Sequence, residues 1–245
     1  IGIFTACIVF PVSILLDGSL TKIERDRIFV IYIIAFFVIF FWAAYEQAGA
    51  SLTLFAAEQT DRTILGWEMP ASWIQSFNPF FVVILAAIMP SVWGALNKRG
   101  MEPASPTKQA IGLLLLSLGY LVICFGVKDV QPGVKVSLIW LTGLYFIHTM
   151  GEIALSPIGL SMVNKLTPVR FASLMMGIWY LSTSTANKFA GTLGGLYPED
   201  GKVKTLLGFR IETMFDFFMV FVIMSGVASL ILSLIHISEP TRRSY

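Results

Sequence analysis

The strongest constraint in this sequence is a series of apolar segments, each long enough to cross a lipid bilayer. Residues 28–45 contain no charged side chain and consist mainly of Ile, Phe, Val and Ala. A transmembrane helix needs about 20 such residues at a rise of about 1.5 Å each. Hydrophobic residues make up 56% of the chain and charged residues 13%, whereas soluble domains average about 45–50% and about 25%. We therefore expect an all-α, polytopic membrane protein.

The chain divides into one partial span and six full spans. They are expected near 1–16, 29–57, 74–96, 110–126, 137–162, 171–196 and 212–234. The intervening segments carry charges, prolines or glycines, which favour loops. The loops at 17–28, 97–108 and 163–170 hold eight lysines and arginines against six in the loops at 58–73, 127–136 and 197–211. The positive-inside rule therefore predicts that the first set is cytoplasmic.

Several functions are disfavoured by what the sequence contains. A net charge of +2 with scattered charges does not form a nucleic-acid-binding surface. Cys7 and Cys124 lie in apolar runs and are interpreted as small buried hydrophobic residues. Zincin, phosphate-loop, nucleophile-elbow and dinucleotide motifs are absent from the sequence. We expect neither an enzyme nor a cofactor or metal site.

The glutamate Glu46 lies within the second predicted span, one helical turn after Trp42. A charged group in the hydrocarbon region is costly, so such a residue is a functional candidate by default. A carboxyl group held beside an aromatic wall in a low-dielectric site is suited to proton exchange. The alternative is a structural ion pair between two helices.

A second intramembrane carboxylate is Glu152. It shares a helix face with His148 and Ser156, and Pro157 is expected to weaken or bend the helix just beyond it. A bent helix carrying a charge often lines a transporter cavity, although the glycines and serines nearby could equally serve close helix packing. We interpret His148 as hydrogen-bonded to a neighbouring helix and exclude it from the site. Lys188 is expected to reach the membrane interface.

Two further positions were considered on their side-chain chemistry. Asn78, followed by Pro79, offers an amide that can bind a polar ligand, or it can cap the start of a helix. Trp179 and Thr183 lie one helical turn apart, and the spacing alone favours packing against lipid or core for this pair.

Four segments in order resemble the C-terminal half of proton-dependent oligopeptide transporters, which belong to the major facilitator superfamily. They are FWAAYEQAGASL at 41–52, FNP at 77–79, GEIALSPIGLS at 151–161 and MGIW at 176–179. The segment LTKIERDR at 20–27 also resembles the approach to the seventh core helix of the family. The resemblance covers about residues 17–231, and the joint occurrence of the motifs is more specific than any one of them.

The resemblance implies proton-coupled uptake of di- and tripeptides by alternating access. In this family Glu46 would match the carboxylate implicated in proton coupling, and Trp42 the aromatic residue beside it. Asn78 would match an amide that contacts peptide, and Glu152 the carboxylate that receives the peptide amino terminus. Trp179 would match a tryptophan of the pocket wall. Peptides, protons and the lipid bilayer are the implied partners.

The resemblance also implies a domain organisation. Residues 1–16 would end an accessory helix, 17–28 would form a cytoplasmic loop, and 29–231 would form the six-helix bundle. The N-terminal half, with its basic residues, would be a further partner, so we expect that residues 1–245 alone do not transport. The short loop at 127–136 favours a bacterial member, located in the inner membrane.

The segment LSLIHISEPTR at 232–242 resembles a translated sequencing adapter, so residues 232–245 are interpreted as a non-native tail. The other reading of this segment is a helix end with a basic tail. Two alternatives to peptide transport also remain open. One is a transporter of another small solute, such as nitrate or an amino-acid-like compound, and the other is a non-transporting membrane sensor.

Overall fold

The computed structural model describes residues 2–128, 130, 133–199 and 202–238, and within them the fold is almost entirely helical. Helix α2 begins at a capping box, in which the Thr21 hydroxyl accepts from the Glu24 backbone N–H and the Glu24 side chain accepts from the Thr21 N–H. The α-helices are α1 (Gly2–Leu15), α2 (Lys22–Tyr45), α3 (Ser51–Glu58), α4 (Phe77–Lys98), α5 (Ser105–Val127), α6 (Leu138–Leu166), α7 (Ala172–Gly194) and α8 (Met214–Ser238).

Short strands close the loops at one end of the bundle. Parallel pairing joins β1 (Thr60–Asp61) to β4 (Val136–Ser137), and antiparallel pairing joins β2 (Thr63–Ile64) to β3 (Trp67–Glu68) and β5 (Lys204–Leu206) to β6 (Phe209–Ile211). Three 3-10 turns complete the fold, at Glu46–Gly49, Ala71–Ser76 and Val169–Phe171. All three strand pairs lie in the loops predicted to be external.

Five segments of the described residues are long and apolar enough to cross a membrane: Lys22–Glu58, Ala71–Lys98, Ser105–Val127, Leu138–Leu166 and Met214–Ile235. They coincide with five of the six predicted full spans. The sixth, α7, has 23 residues and is long enough, but its serines, threonines, Asn187 and Lys188 lower its hydropathy. Lys188 is exposed near the end of this helix.

The predicted span 29–57 is interrupted rather than continuous. Helix α2 ends at Tyr45, and the 3-10 turn Glu46–Gly49 separates it from α3. The buried Gln47 amide donates to the carbonyls of Ala43 at 3.1 Å and Ala190 at 3.0 Å. Ser51 donates to the Gln47 side-chain oxygen at 2.6 Å. Gln47 therefore ties the interruption to α7 by hydrogen bonds that are costly to lose in a buried site.

Helices α5, α6 and α8 pack closely and are called the scaffold below. Glycines of α5 recur at seven-residue spacing where α6 crosses it, as Gly112, Gly119 and Gly126. A Cβ added to Gly119 would lie 2.4 Å from the His148 ring, and one added to Gly112 would lie 3.0 Å from the Gly151 carbonyl oxygen. Small residues of this kind let helix backbones approach in membranes.

The two ends of the chain bear on the predicted domain boundaries, which stay predictions. Helix α1 ends at Leu15 and packs on α7, where the Cys7 thiol and Thr185 hydroxyl are 2.9 Å apart. Cys124 is buried, as expected, and neither cysteine forms a disulfide. Helix α8 extends to Ser238 with Leu232 buried. Residues 239–245 of the proposed tail lie outside the described residues.

Candidate functional site

Three polar side chains from three different helices meet at the centre of the candidate site. Tyr45 is the last residue of α2, Asn78 is the second residue of α4, and Glu152 lies near the middle of α6. The Tyr45 hydroxyl donates to Glu152 Oε2, and the Asn78 amide donates to the Tyr45 oxygen. Asn78 Nδ2 also lies 3.0 Å from Glu152 Oε2. One carboxylate oxygen thus accepts from two neutral donors.

The fold accounts for the direction of the Asn78 side chain. Ser76 occupies the cap position of α4 and its side chain makes no capping bond, so Asn78 lies inside the helix and is not its cap. Its amide also lies 3.4 Å from the hydroxyl of Thr149, which in turn donates to the Tyr145 carbonyl at 2.7 Å. The ligand-binding interpretation of Asn78 is therefore favoured over the capping one.

Aromatic rings hold Tyr45 in place. The Phe41 ring stacks on it at a centroid distance of 5.5 Å and an interplanar angle of 17°. The Trp42 ring meets it edge to face, also at 5.5 Å. Such ring pairs contribute about 0.5–1.5 kcal/mol each beyond their buried area. Trp42, a predicted pocket residue, therefore contacts Tyr45, which in turn binds Glu152.

Glu46 begins the 3-10 turn directly after Tyr45, and its side chain is exposed. It lines a cavity of about 220 Å³ next to the Tyr45, Asn78 and Glu152 cluster. The cavity is lined by Tyr45, Glu46, Ala48, Gly49, Gln75, Asn78, Tyr145 and His148. Two of the predicted site residues, Glu46 and Asn78, therefore line one cavity. Glu152 is hydrogen-bonded to two residues of the cavity wall, Tyr45 and Asn78.

His148 is buried, and its Nε2 atom lies 3.2 Å from the Leu116 carbonyl of α5. Its ring packs 4.7 Å from that of Tyr120. The predicted hydrogen bond to a neighbouring helix is confirmed, but the side chain also lines the cavity, which the sequence interpretation did not anticipate. The shared helix face with Glu152 was the signal that could have indicated it.

Trp179 lies apart from the other predicted site residues. Its buried ring packs against Gly159 of α6, where an added Cβ would be 2.4 Å from the ring. Gly159 follows Glu152 by seven residues, which is about 10 Å along a helix. Trp179 does not line the cavity at Glu46. Its assignment to a pocket wall stays a prediction.

The charge of the site is acidic. Among the described residues, neither Glu46 nor Glu152 takes part in an ion pair with a lysine or arginine. No group of three or more potential metal ligands occurs in the described part of the chain. The arrangement can accept a cationic or hydrogen-bond-donating group at Glu152 and exchange a proton at the exposed Glu46.

The sequence motifs did not indicate a role for two hydroxyl groups of the site, those of Tyr45 and Tyr145. Tyr45 lies inside the segment 41–52, but its contact with Glu152 depends on the helix ending there. Tyr145 precedes Glu152 by seven residues, so it lies on the same side of α6 two turns away. Its hydroxyl is buried and has no hydrogen-bond partner within the described residues.

Helices of membrane length beside a cavity with polar side chains in its lining define a polytopic membrane protein. The profile of the POT family matches residues 6–207, and the chain therefore belongs to the POT family. The resemblance seen in the four motifs is confirmed.

Similar proteins agree with this assignment. The chain is 38% identical over 185 residues to the peptide transporter YePEPT of Yersinia enterocolitica, covering 75% of this chain and 36% of that protein. It is 33% identical over 172 residues to the dipeptide and tripeptide permease A of Escherichia coli, covering 70% of this chain and 34% of that protein. These relatives are transporters, and the chain spans about a third of their length.

Solved structures show the same fold. A mutant of the peptide transporter POT in complex with alafosfalin superposes with a TM-score of 0.82 at 29% identity, over 96% of this chain and 46% of that one. A POT family transporter in complex with 5-aminolevulinic acid gives a TM-score of 0.82 at 25% identity, over 98% and 47%. The predicted all-α bundle of the major facilitator type is confirmed, and it corresponds to about half of each solved chain.

Proposed function

We propose that this chain forms the C-terminal half of a proton-coupled di- and tripeptide symporter of a bacterial inner membrane. The observation that carries the proposal is the convergence of Tyr45, Asn78 and Glu152 beside a cavity that Glu46 also lines. The similarity of the chain to a peptide transporter of Yersinia enterocolitica and a dipeptide and tripeptide permease of Escherichia coli supports peptides as the substrate class.

The electrostatics of the site support a substrate with an ammonium group. A peptide zwitterion needs an acidic pole for its amino terminus, and Glu152 offers a carboxylate with no cationic partner among the described residues. Charge-assisted hydrogen bonds are about twice as strong as neutral ones. The basic pole for the peptide carboxylate would come from the N-terminal half. No step in this cycle requires enzymatic chemistry.

The proposal assigns different roles to the two carboxylates. Glu152 binds the substrate amine, whereas Glu46 exchanges the coupled proton because it is exposed to the cavity. Trp42 and Asn78 bind substrate beside them, and Trp179 contributes to the pocket wall about two helical turns further along α6, where it packs against Gly159. Alternating access requires two bundles that move against each other, so residues 1–245 alone do not transport.

The test uses a chimera in which residues 17–231 replace the matching half of the transporter YePEPT. In proteoliposomes with an inward proton gradient, the chimera is expected to accumulate radiolabelled Ala-Ala. Glu46→Gln and Glu152→Gln each remove one titratable carboxyl with little change in shape, and each is expected to reduce accumulation at least tenfold. Glu212→Gln is the matched control, since Glu212 pairs with Arg210 in an exposed loop.

Competition assays separate the alternatives. Unlabelled dipeptide, but not nitrate or free alanine, should suppress Ala-Ala uptake. Preferential suppression by nitrate or alanine would favour another solute. A folded chimera with no uptake of any of these compounds would contradict transport and favour a sensor. Proton-driven uptake by residues 1–245 in the absence of another half would contradict the half-transporter proposal.

A further inference from the structure

We propose that the Tyr45 hydroxyl binds Glu152 and that a substrate amine must displace it, so that Tyr45 lowers the affinity of the site for every ligand that binds Glu152. This inference rests on the proposed function, because it concerns how strongly the same site binds its substrate. It adds an affinity-determining residue that the motif pattern does not assign.

The contacts at Glu152 carry the first step of the argument. Its Oε2 atom accepts from both the Tyr45 hydroxyl and the Asn78 amide. The Asn78 amide in turn donates to the Tyr45 oxygen, which holds that hydroxyl in the donor role toward the carboxylate. Both donors are neutral. These two donors therefore form hydrogen bonds with the carboxyl group but bring no positive charge to it.

An incoming ammonium group makes a stronger bond to the same oxygen than a phenol does, because its hydrogen bonds are charge-assisted. When a ligand must break a hydrogen bond in order to bind, the net free energy gained on binding is smaller. The cost of displacing Tyr45 is the same for every ligand that binds Glu152. Tyr45 therefore lowers the affinity of all such ligands, and an ammonium group overcomes this cost by its charge-assisted bond.

The local structure allows Tyr45 to move away. It is half-buried at the last turn of α2, where the helical hydrogen-bond pattern changes to the 3-10 turn. Tyr145 lines the same cavity, but its hydroxyl is buried and has no hydrogen-bond partner within the described residues. A displaced Tyr45 hydroxyl can therefore move into the cavity of about 220 Å³ that Tyr45 borders.

The first measurement compares Tyr45→Phe with the unmodified chimera. Phenylalanine keeps the ring contacts to Phe41 and Trp42 and removes only the competing donor. The KM for Ala-Ala is expected to fall about fivefold, and the inhibition constant of N-acetyl-Ala-Ala by no more than about the same factor, since the bond that is no longer broken is the same for both ligands. The preference for the free amine is therefore not reduced. Tyr180→Phe, an exposed tyrosine of α7, is the matched control and should change neither constant.

The second measurement does not depend on transport. In the 245-residue chain reconstituted in lipid nanodiscs, dicyclohexylcarbodiimide modifies protonated carboxyl groups, and mass spectrometry quantifies modification at Glu152. Tyr45→Phe removes the hydroxyl that binds Glu152 Oε2 and opens this oxygen to the reagent, so the initial labelling rate is expected to increase about threefold or more. Glu152→Gln identifies the labelled site. Ala-Ala should protect the Tyr45→Phe chain at lower concentrations than the unmodified chain.

The outcomes separate the two proposals. If the chimera does not transport but labelling and protection change as expected, the proposed function fails and the role of Tyr45 stands as that of an amine site. If the chimera transports but Tyr45→Phe leaves labelling unchanged, or raises the KM for Ala-Ala, the role of Tyr45 is overturned and the proposed function stands. Unchanged labelling without transport contradicts both.

Discussion

Helices α4 and α5 have similar length and similar apolar character, yet they differ in how they pack. Within α5, 12 of 23 residues are buried, whereas in α4 only Leu85 and Met89 of 22 residues are. Lipid is as apolar as leucine, so hydrophobicity does not decide which helix enters a bundle. Within this chain, the glycines of α5 let α6 approach its backbone, whereas few described residues pack against α4.

The candidate site joins these two regions. Glu152 follows Gly151, whose added Cβ would lie only 2.9 Å from the Gly112 carbonyl oxygen of the scaffold. Asn78, in contrast, lies at the start of the sparsely packed α4. The carboxylate is therefore held by the tightly packed region, while a hydrogen-bond donor to it comes from the loosely packed one.

The largest effect is expected from breaking the scaffold. In Gly112→Val, the Cβ would meet the Leu155 Cβ at 2.9 Å and the Gly151 carbonyl oxygen at 3.0 Å. Overpacking costs about 1–3 kcal/mol, and backbone on one side of the contact leaves little room for relaxation. The apparent unfolding temperature in detergent should fall by about 2–12 °C, measured by intrinsic fluorescence.

The matched control lies in α4. A Cβ at Gly94 would meet nothing within 4 Å, so Gly94→Val should change the free energy of unfolding by no more than about 0.5 kcal/mol. If Gly112→Val and Gly94→Val lower the unfolding temperature equally, the scaffold is not the more tightly packed region.

A smaller effect is expected where the scaffold meets α2. The buried Tyr120 hydroxyl of α5 donates to the Ala44 carbonyl at 2.6 Å, one residue before Tyr45. Tyr120→Phe removes this bond and should lower the free energy of unfolding by about 1 kcal/mol. Tyr180→Phe on α7 serves as the comparison, because its ring is exposed and no loss is expected. An unchanged Tyr120→Phe unfolding temperature would mean that α2 is not anchored there.

The smallest effect concerns the loop between α7 and α8. Hydrogen bonds from Lys202 at 2.6 Å and Lys204 at 3.0 Å lower the pKa of Glu199 to about 2 from its usual 4.5. A lowered pKa in the folded state stabilises the protein above pH 4.5, and this contribution is lost as the pH falls toward about 2.

Between pH 5 and 8, Glu199→Gln should therefore leave the pH dependence of the unfolding temperature unchanged. Only below about pH 4.5 should the unfolding temperature of the variant depend less on pH than that of the unmodified chain. The pair is exposed to solvent, so the effect is small. A change in the profile between pH 5 and 8 would contradict the lowered pKa of Glu199 as the source of this contribution.

The sequence predicted the architecture well because hydropathy and breaker residues act locally. Five predicted full spans coincide with membrane-length segments, and the four motifs identified the family. The predicted span 29–57 matches the membrane-length segment Lys22–Glu58, but the sequence did not indicate the 3-10 turn that interrupts its helix. The 3-10 turn at Glu46–Gly49 depends on Gln47 reaching the Ala190 carbonyl 143 residues away, and such a contact has no local signature.

The site was predicted in part for the same reason. Glu46, Asn78 and Glu152 have side chains whose presence in a membrane span is itself informative. Tyr45 and Tyr145 are ordinary residues of apolar spans, and only the meeting of α2, α4 and α6 gives their hydroxyl groups a role. The seven-residue spacing of glycines in α5 was visible in the sequence, but its meaning required the partner helix.

Glycines of α5 hold α6 at three points along its length. Gly112, Gly119 and Gly126 bring the α5 backbone against Gly151, His148 and Trp140 of α6. These contacts extend over about 21 Å of α5, so a tilt of α6 against α5 would open or overlap at least one of them. We therefore expect the two helices to move as one rigid pair, with Glu152 carried by it.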